Sequence, residues 1–204
     1  MSDVPPYLLP YHRAARTHGD SFSALLWASQ STQHIRFEVL QRAVDFAGRT
    51  ICDAGCGRAD LLDYLIAQGA TPTDYVGIEA INELASAAER KQRKGVRILR
   101  GDFIREPVRL FVGAEIVVFC GSLNTVEDPE FYQTLQRGFD ATAWTLVFNF
   151  LSSSRLAAAS HLRWRRRADV ERFVAGFGGI ETRVIEDYLD GDCTIAVFKP
   201  DPHA

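Results

Sequence analysis

Residues 50–60 read TICDAGCGRAD, and this stretch constrains the fold more than any other. A short apolar run meets Gly55 and Gly57, and a helix-period pattern follows at once, with Leu62, Leu65 and Ile66 on one face. The pattern predicts a strand, a tight turn and a helix N-terminus in immediate succession. The two glycines permit the sharp turn and let a ligand approach bare backbone. The first-turn amides of the helix suit a carboxylate or another polar ligand group. Asp53 closes the strand two positions before Gly55, in a D-x-G-x-G pattern. A dinucleotide loop needs G-x-G-x-x-G/A, and Asp60 holds the third place, so that fingerprint fails. A P-loop needs Gly-Lys-Ser/Thr, which is absent here. An acid at this point suits a ligand with a positive amino group rather than a pyrophosphate.

The rest of the chain alternates strand and helix patterns. Residues 1–20, rich in Pro, His and Arg, read as irregular. A short helix is predicted over 21–30, with Phe22, Leu25, Leu26 and Trp27 apolar. A second runs from a Ser31 or Thr32 cap to about residue 47, with Ile35, Val39, Leu40 and Val44 inward. After the central unit (helix about 58–68), strands are expected at 74–80, 96–102, 115–122 and 144–150. Helices are expected at 82–94, 128–137 and 168–175. Residues 181–189 and 192–200 suggest two closing strands, joined as a hairpin through Asp190–Gly191. The fold class is α/β, a doubly wound, mainly parallel seven-stranded sheet with helices on both faces and a C-terminal β-hairpin. Ligands of such sheets bind at the strands' carboxyl ends.

At 204 residues the chain matches one domain with a substantial core, and its 47% apolar and 24% charged residues are ordinary for a globular protein. The net charge of −3 offers no general attraction to nucleic acid or anionic membrane. No apolar run is long enough to span a bilayer, and the first residues carry no apolar signal core, so a cytoplasmic protein is expected. Cys52, Cys56, Cys120 and Cys193 form no C-x-x-C pair or zinc spacing, so no metal site is expected, and at least three read as buried and reduced.

With Asp53, Gly55 and Gly57 in place, ICDAGCGRADLL resembles motif I of the class I S-adenosylmethionine-dependent methyltransferases, with Ala59 where the family usually has a third glycine. The resemblance covers about residues 50–150 by motif and 168–199 by architecture. It implies a methyltransferase domain over 50–204, a helical extension over 1–49 that acts as a lid, and S-adenosylmethionine as cofactor. Three acids end successive strands: Asp53, Glu79 and Asp102. Glu79 lies 24 positions after Gly55, near the roughly 20-residue spacing of a ribose-binding carboxylate. By resemblance, Asp53 binds the methionine ammonium, Glu79 both ribose hydroxyls, and Asp102 the adenine amino group, with Phe103 covering the ring. Gly55, Cys56 and Gly57 lie along the methionine moiety, and Ala80, Gly101 and Cys120 complete the cofactor contacts.

The turn at Gly121-Ser122-Leu123-Asn124 follows the fourth strand, where the family brings substrate to the methyl group. Asn124 serves there as a ligand or catalytic contact, or as a turn cap. In the extension, Trp27 is a candidate substrate contact, and His12 and His18 are candidate bases for an acceptor with a removable proton. Arg36, sharing a helix face with Gln33, reaches the methionine carboxylate or sits on an exposed face. The basic cluster around Arg163 and Arg165 either binds an anionic acceptor, a small phosphate or carboxylate before an RNA, or is a solvated helix end. The expected activity is methyl transfer to an O, N or S atom of a small-molecule acceptor, with nucleic acid disfavoured as a partner. A non-catalytic binder of the same cofactor, a methyltransferase acting on RNA or protein, and a nicotinamide-dependent oxidoreductase are the rivals.

Overall fold

The computed structural model describes residues 4–91 and 93–203. Residues 1–3 and 204, at the ends of the two expected domains, and Gln92, in the expected helix 82–94, lie outside the described residues.

Seven strands form one sheet in the order β3-β2-β1-β4-β5-β7-β6. They are β1 (Thr50–Ala54), β2 (Asp74–Glu79), β3 (Val96–Arg100), β4 (Ile116–Phe119), β5 (Thr145–Leu151), β6 (Glu181–Ile185) and β7 (Asp192–Phe198). β1 to β5 pair in parallel, and β7 runs antiparallel between β5 and β6. The central strands are buried almost throughout and mostly apolar because helices cover both faces. On one face, α2 (Gln30–Ala43) and α3 (Asp60–Ala67) bury Phe37, Leu40, Leu61, Leu62 and Leu65, with Ala88 of α4 (Asn82–Glu89). On the other, α5 (Asp128–Ala141) and α6 (Arg167–Val174) bury Phe131, Leu135, Phe139, Val170 and Val174. The strand order reverses between β1 and β4, which opens a crevice beyond their carboxyl ends.

Several local expectations give way to tertiary demands. Residues 6–18 are helical: a 3-10 turn (Pro6–Leu8) runs into α1 (Leu9–His18). Proline in a first turn removes no helical hydrogen bond, so a proline-rich start is compatible with helix. Of the helix expected over 21–30, only a 3-10 turn (Phe22–Leu25) forms before α2 begins at Gln30, and Leu26 between them takes φ +59° and turns the chain back. The cap of α2 is Ser29, not Ser31 or Thr32. Its Oγ accepts from the Thr32 amide at 3.1 Å while Thr32 Oγ1 accepts from the Ser29 amide at 3.1 Å. α2 ends at Ala43 because the extended chain beyond it sends Val44 and Phe46 into the core. α4 ends at Glu89, short of residue 94. α5 continues past residue 137 to Ala141, with Gly138 against the Phe119 ring, where a Cβ would lie 2.6 Å from a ring carbon. β6 stops at Ile185, so six residues (186–191) rather than a two-residue turn join it to β7.

Candidate functional site

β1, β2 and β3 end in the crevice: Asp53 and Glu79 lie at the ends of β1 and β2, and Asp102 follows β3 by two positions. Asp53 is level with Gly77 of β2 and Val118 of β4. A cleft of about 1050 Å³, its mouth included, opens at this point. Of the predicted residues, Trp27, Asp53, Gly55, Cys56, Gly57, Glu79, Ala80, Asp102, Phe103, Cys120 and Asn124 line it. Gly101, His12, His18, Arg36, Arg163 and Arg165 do not.

Glu79 is buried, and its two oxygens accept the Gly57 amide at 2.8 Å and the Ile81 amide at 2.7 Å. Burial pushes its carboxyl up, and the backbone amides of Ile81, Gly57 and Ala80 oppose that. Each oxygen keeps a lone pair for a ligand hydroxyl. Asp102 Oδ1 accepts the Ile104 amide at 2.9 Å, and Oδ2 accepts the Tyr7 hydroxyl at 2.7 Å. The Phe103 ring packs against Phe119, centroids 5.5 Å apart.

Asp53 accepts the Tyr75 hydroxyl at 2.5 Å. Burial, offset by that hydrogen bond and reinforced by the charges of Glu79 and Asp60, pushes Asp53 up to about 7 from its ordinary 3.8. A raised folded value means that the folded state holds the proton more tightly. The stability this confers is complete below the unfolded value and is lost as pH rises through about 7. Between pH 4 and 7 this group therefore contributes a slope of about −1.4 kcal/mol per pH unit. Chemical denaturation across that window is expected to show a shallower fall for Asp53→Asn than for the wild type. Parallel curves would remove Asp53 from the account.

The glycine turn is held by close approach. Gly55 has φ +80°, and a Cβ there would meet Ser122 Cβ at 2.4 Å. Gly55→Ala is expected to cost about 2–4 kcal/mol, from left-handed strain and overpacking together. A loss under about 1 kcal/mol in a denaturant titration would show that the two loops yield. Ala59 also takes a left-handed conformation, φ +56°, so the missing third glycine costs backbone strain and is not a neutral exchange.

Residues that the sequence did not single out complete the walls. Tyr7, Leu8, Tyr11, Leu25 and Leu26 come from the extension, whose Ala15 and Ala24 pack on Ile81 and Leu84 beside Glu79. From α2 only Gln33 and Phe37 reach the cleft. Ser122, His161 and Leu162 arrive on the loops after β4 and β5, which are tied together by the Arg163 amide donating to the Asn124 carbonyl at 2.7 Å.

The arginines are engaged elsewhere. Arg36 is buried against Asp192 of β7 and stacks on Trp27 at 4.9 Å, so it neither reaches the cleft nor sits on an exposed face. Arg165 is buried too: it donates to the Val126 carbonyl at 2.5 Å, pairs with Asp128 at 2.9 Å and lies 3.7 Å over the Phe131 ring. Arg163 pairs with Glu127 at 2.8 Å. These contacts engage the Arg163 and Arg165 charges in loop architecture. The charged side chains lining the cleft, Asp53, Asp60, Glu79 and Asp102, are all acidic. The four cysteines are buried and free, and burial raises the Cys120 thiol, which suits packing rather than nucleophilic work.

No protein-family model matches the chain, and no curated protein matches its sequence. Solved structures do resemble it. Magnesium protoporphyrin IX methyltransferase from Synechocystis, with bound S-adenosylmethionine, is 14% identical over 98% of this chain and 100% of that one, with a TM-score of 0.69. DhpI in complex with S-adenosylhomocysteine is 17% identical over 97% and 96%, with a TM-score of 0.66. Human N-acetylserotonin methyltransferase in complex with S-adenosylmethionine is 14% identical over 96% of this chain and 62% of that one, with a TM-score of 0.67. At such identities the likeness is one of architecture, and it agrees with the strand order and the switch-point crevice. The chain has the fold of the class I S-adenosylmethionine-dependent methyltransferases.

Proposed function

We propose that the chain is an S-adenosylmethionine-dependent methyltransferase that transfers a methyl group to an O, N or S atom of a small-molecule acceptor. The observation that carries this reading is the convergence of Asp53, Glu79 and Asp102 on one cleft at the switch point. S-adenosylmethionine supplies a methyl group already activated by its sulfonium centre, so the protein's part is alignment and exclusion of water. The residues fit that ligand. Glu79 receives the ribose hydroxyls on oxygens already oriented by Gly57 and Ile81. Asp53 receives an ammonium, and Asp102 an amino group in the position that the Tyr7 hydroxyl shares. Phe103 walls the adenine side. The methionine carboxylate falls to the α3 first-turn amides and to Gln33 Nε2, in place of Arg36. Gln33 is 4% exposed and has its Nε2 3.5 Å from Asp60 Oδ2.

Calorimetric titration tests the reading directly. S-adenosylmethionine and S-adenosylhomocysteine are expected to bind, and NADH is not. An ammonium seated against Asp53 favours its ionised form, so binding at pH 7 is expected to release protons, read from the heat in buffers of different ionisation enthalpy. Folded protein that binds neither adenosyl ligand would end the proposal. Binding without methyl transfer to any acceptor would leave a cofactor-binding protein.

A further inference from the structure

Three polar groups in the cleft belong to none of the cofactor contacts above. Asn124 is 7% exposed and lines the cleft, and its side-chain Oδ1 is buried without a hydrogen-bond partner among the described residues, while its backbone is pinned at both ends: its amide donates to the Gly121 carbonyl at 3.3 Å and its carbonyl accepts from Arg163. Ser122 Oγ is buried beside it without a partner. His161 is the only one of the five histidines to line the cleft, and its ring has no hydrogen-bond partner among the described residues. A buried carboxamide held by its backbone but unused by its side chain is costly unless a ligand completes it. Around these groups the walls are apolar and aromatic, with Tyr7, Tyr11, Leu26, Trp27 and Leu162. Trp27 is fixed by the Arg36 guanidinium on one side and by Gly121 on the other, where a Cβ would fall 2.7 Å from the indole. Among the described residues no lysine or arginine lines the cleft, and its charged lining side chains are acids.

Resting on the methyltransferase reading, we propose that the acceptor is a neutral, largely apolar hydroxyl compound of the phenol class, held by the Asn124 carboxamide and deprotonated by His161. An anionic acceptor would enter a cleft lined by Asp53, Asp60, Glu79 and Asp102, where Lys91 and Arg58 are already taken by Asp60 at 2.8 Å and 3.6 Å. An aromatic ring instead meets Trp27 and the tyrosines. With its carboxamide flipped so that the N–H takes the buried, unpartnered place of Oδ1, Asn124 donates to the hydroxyl oxygen, and the hydroxyl proton is directed to the His161 ring. As the oxygen–methyl bond forms, the carbon–sulfur bond breaks with its electron pair left on sulfur. The phenolic proton passes to an imidazole nitrogen of His161. The products are the methyl ether, neutral S-adenosylhomocysteine and an imidazolium that returns its proton to solvent through the second, outer cavity, which His161 also lines. The charged groups that share that outer cavity with it are Arg13, Arg163, Glu127 and Glu130.

The test uses the full chain saturated with S-adenosylhomocysteine. Phenol, 2-naphthol and 4-phenylphenol are titrated calorimetrically beside the carboxylates in which a carboxyl replaces each hydroxyl. At least one phenol is expected to bind at least about tenfold more tightly than its carboxylate partner. Asn124→Leu should lose up to about tenfold of that affinity, the scale of a neutral hydrogen bond. His161→Gln should keep acceptor affinity within about threefold yet lose at least about 100-fold in methyl transfer from S-adenosylmethionine. Unchanged binding of S-adenosylhomocysteine to both variants certifies their fold. Equal binding of carboxylates, no binding by any phenol, or undiminished methyl transfer by His161→Gln overturns the acceptor assignment alone. Failure of wild-type protein to bind S-adenosylhomocysteine overturns it together with the methyltransferase reading.

Discussion

Replacing Arg36 by alanine is expected to lower the unfolding free energy by about 3–5 kcal/mol, because it strands a buried carboxylate. The Arg36 and Asp192 side chains are 7% and 0% exposed and face each other across α2 and β7. Burial already pushes Asp192 up, and Arg36 is the strongest group opposing that. Once the guanidinium is gone, the Tyr188 hydroxyl at 3.0 Å and the Cys193 backbone still support the charge. The loss should therefore be largest at neutral and higher pH and shrink as pH falls and Asp192 takes a proton. Denaturant titration at two pH values reads both the size and the trend. The paired replacement Arg36→Met with Asp192→Leu should recover most of the loss, since two apolar side chains need no counter-charge. A pH-independent loss under about 1 kcal/mol for Arg36→Ala would mean that the pair contributes packing alone.

Glu79→Ala is expected to weaken S-adenosylmethionine binding by at least about 1.5 kcal/mol, the lower end for one hydrogen bond to a charged group, and by about twice that if both ribose contacts go. The structure adds a second contribution. Glu79 also holds the Gly57 and Ile81 amides, so its loss loosens the glycine turn before any ligand arrives. Glu79→Gln separates the two effects. It keeps one carbonyl acceptor and the shape of the side chain, and should fall between alanine and wild type. Unchanged affinity in a folded Glu79→Ala protein would overturn the role proposed for this residue.

Much of the architecture is legible in the chain because parallel strands buried on both faces must be nearly continuous apolar runs. ICDA, YVGIE, IVVF and TLVFNFL stand out for that reason, and glycines or acids mark their ends. The acids Asp53, Glu79 and Asp102 are readable because strand ends in such a sheet share one edge. The covering segments are less legible. Nothing local to residues 21–27 demands that Leu26 adopt φ +59°, a strained choice made so that Trp27 can reach Gly121 on a distant loop. Nor does residue 7 announce that its hydroxyl will meet Asp102.

The charges divide in the same way. A run such as Arg163-Trp164-Arg165-Arg166-Arg167 advertises an anion site, yet the carboxylates that neutralise Arg163 and Arg165, Glu127 and Asp128, lie on the α5 side of the fold. By itself, the sequence determined the sheet, the glycine turn and the three acids, since periodicity and strand-end chemistry act over a few residues. Only the tertiary structure decided which arginines are spent, which histidine enters the cleft and that the cleft is acidic, because an ion pair or a cavity wall depends on partners that folding brings together from far along the chain.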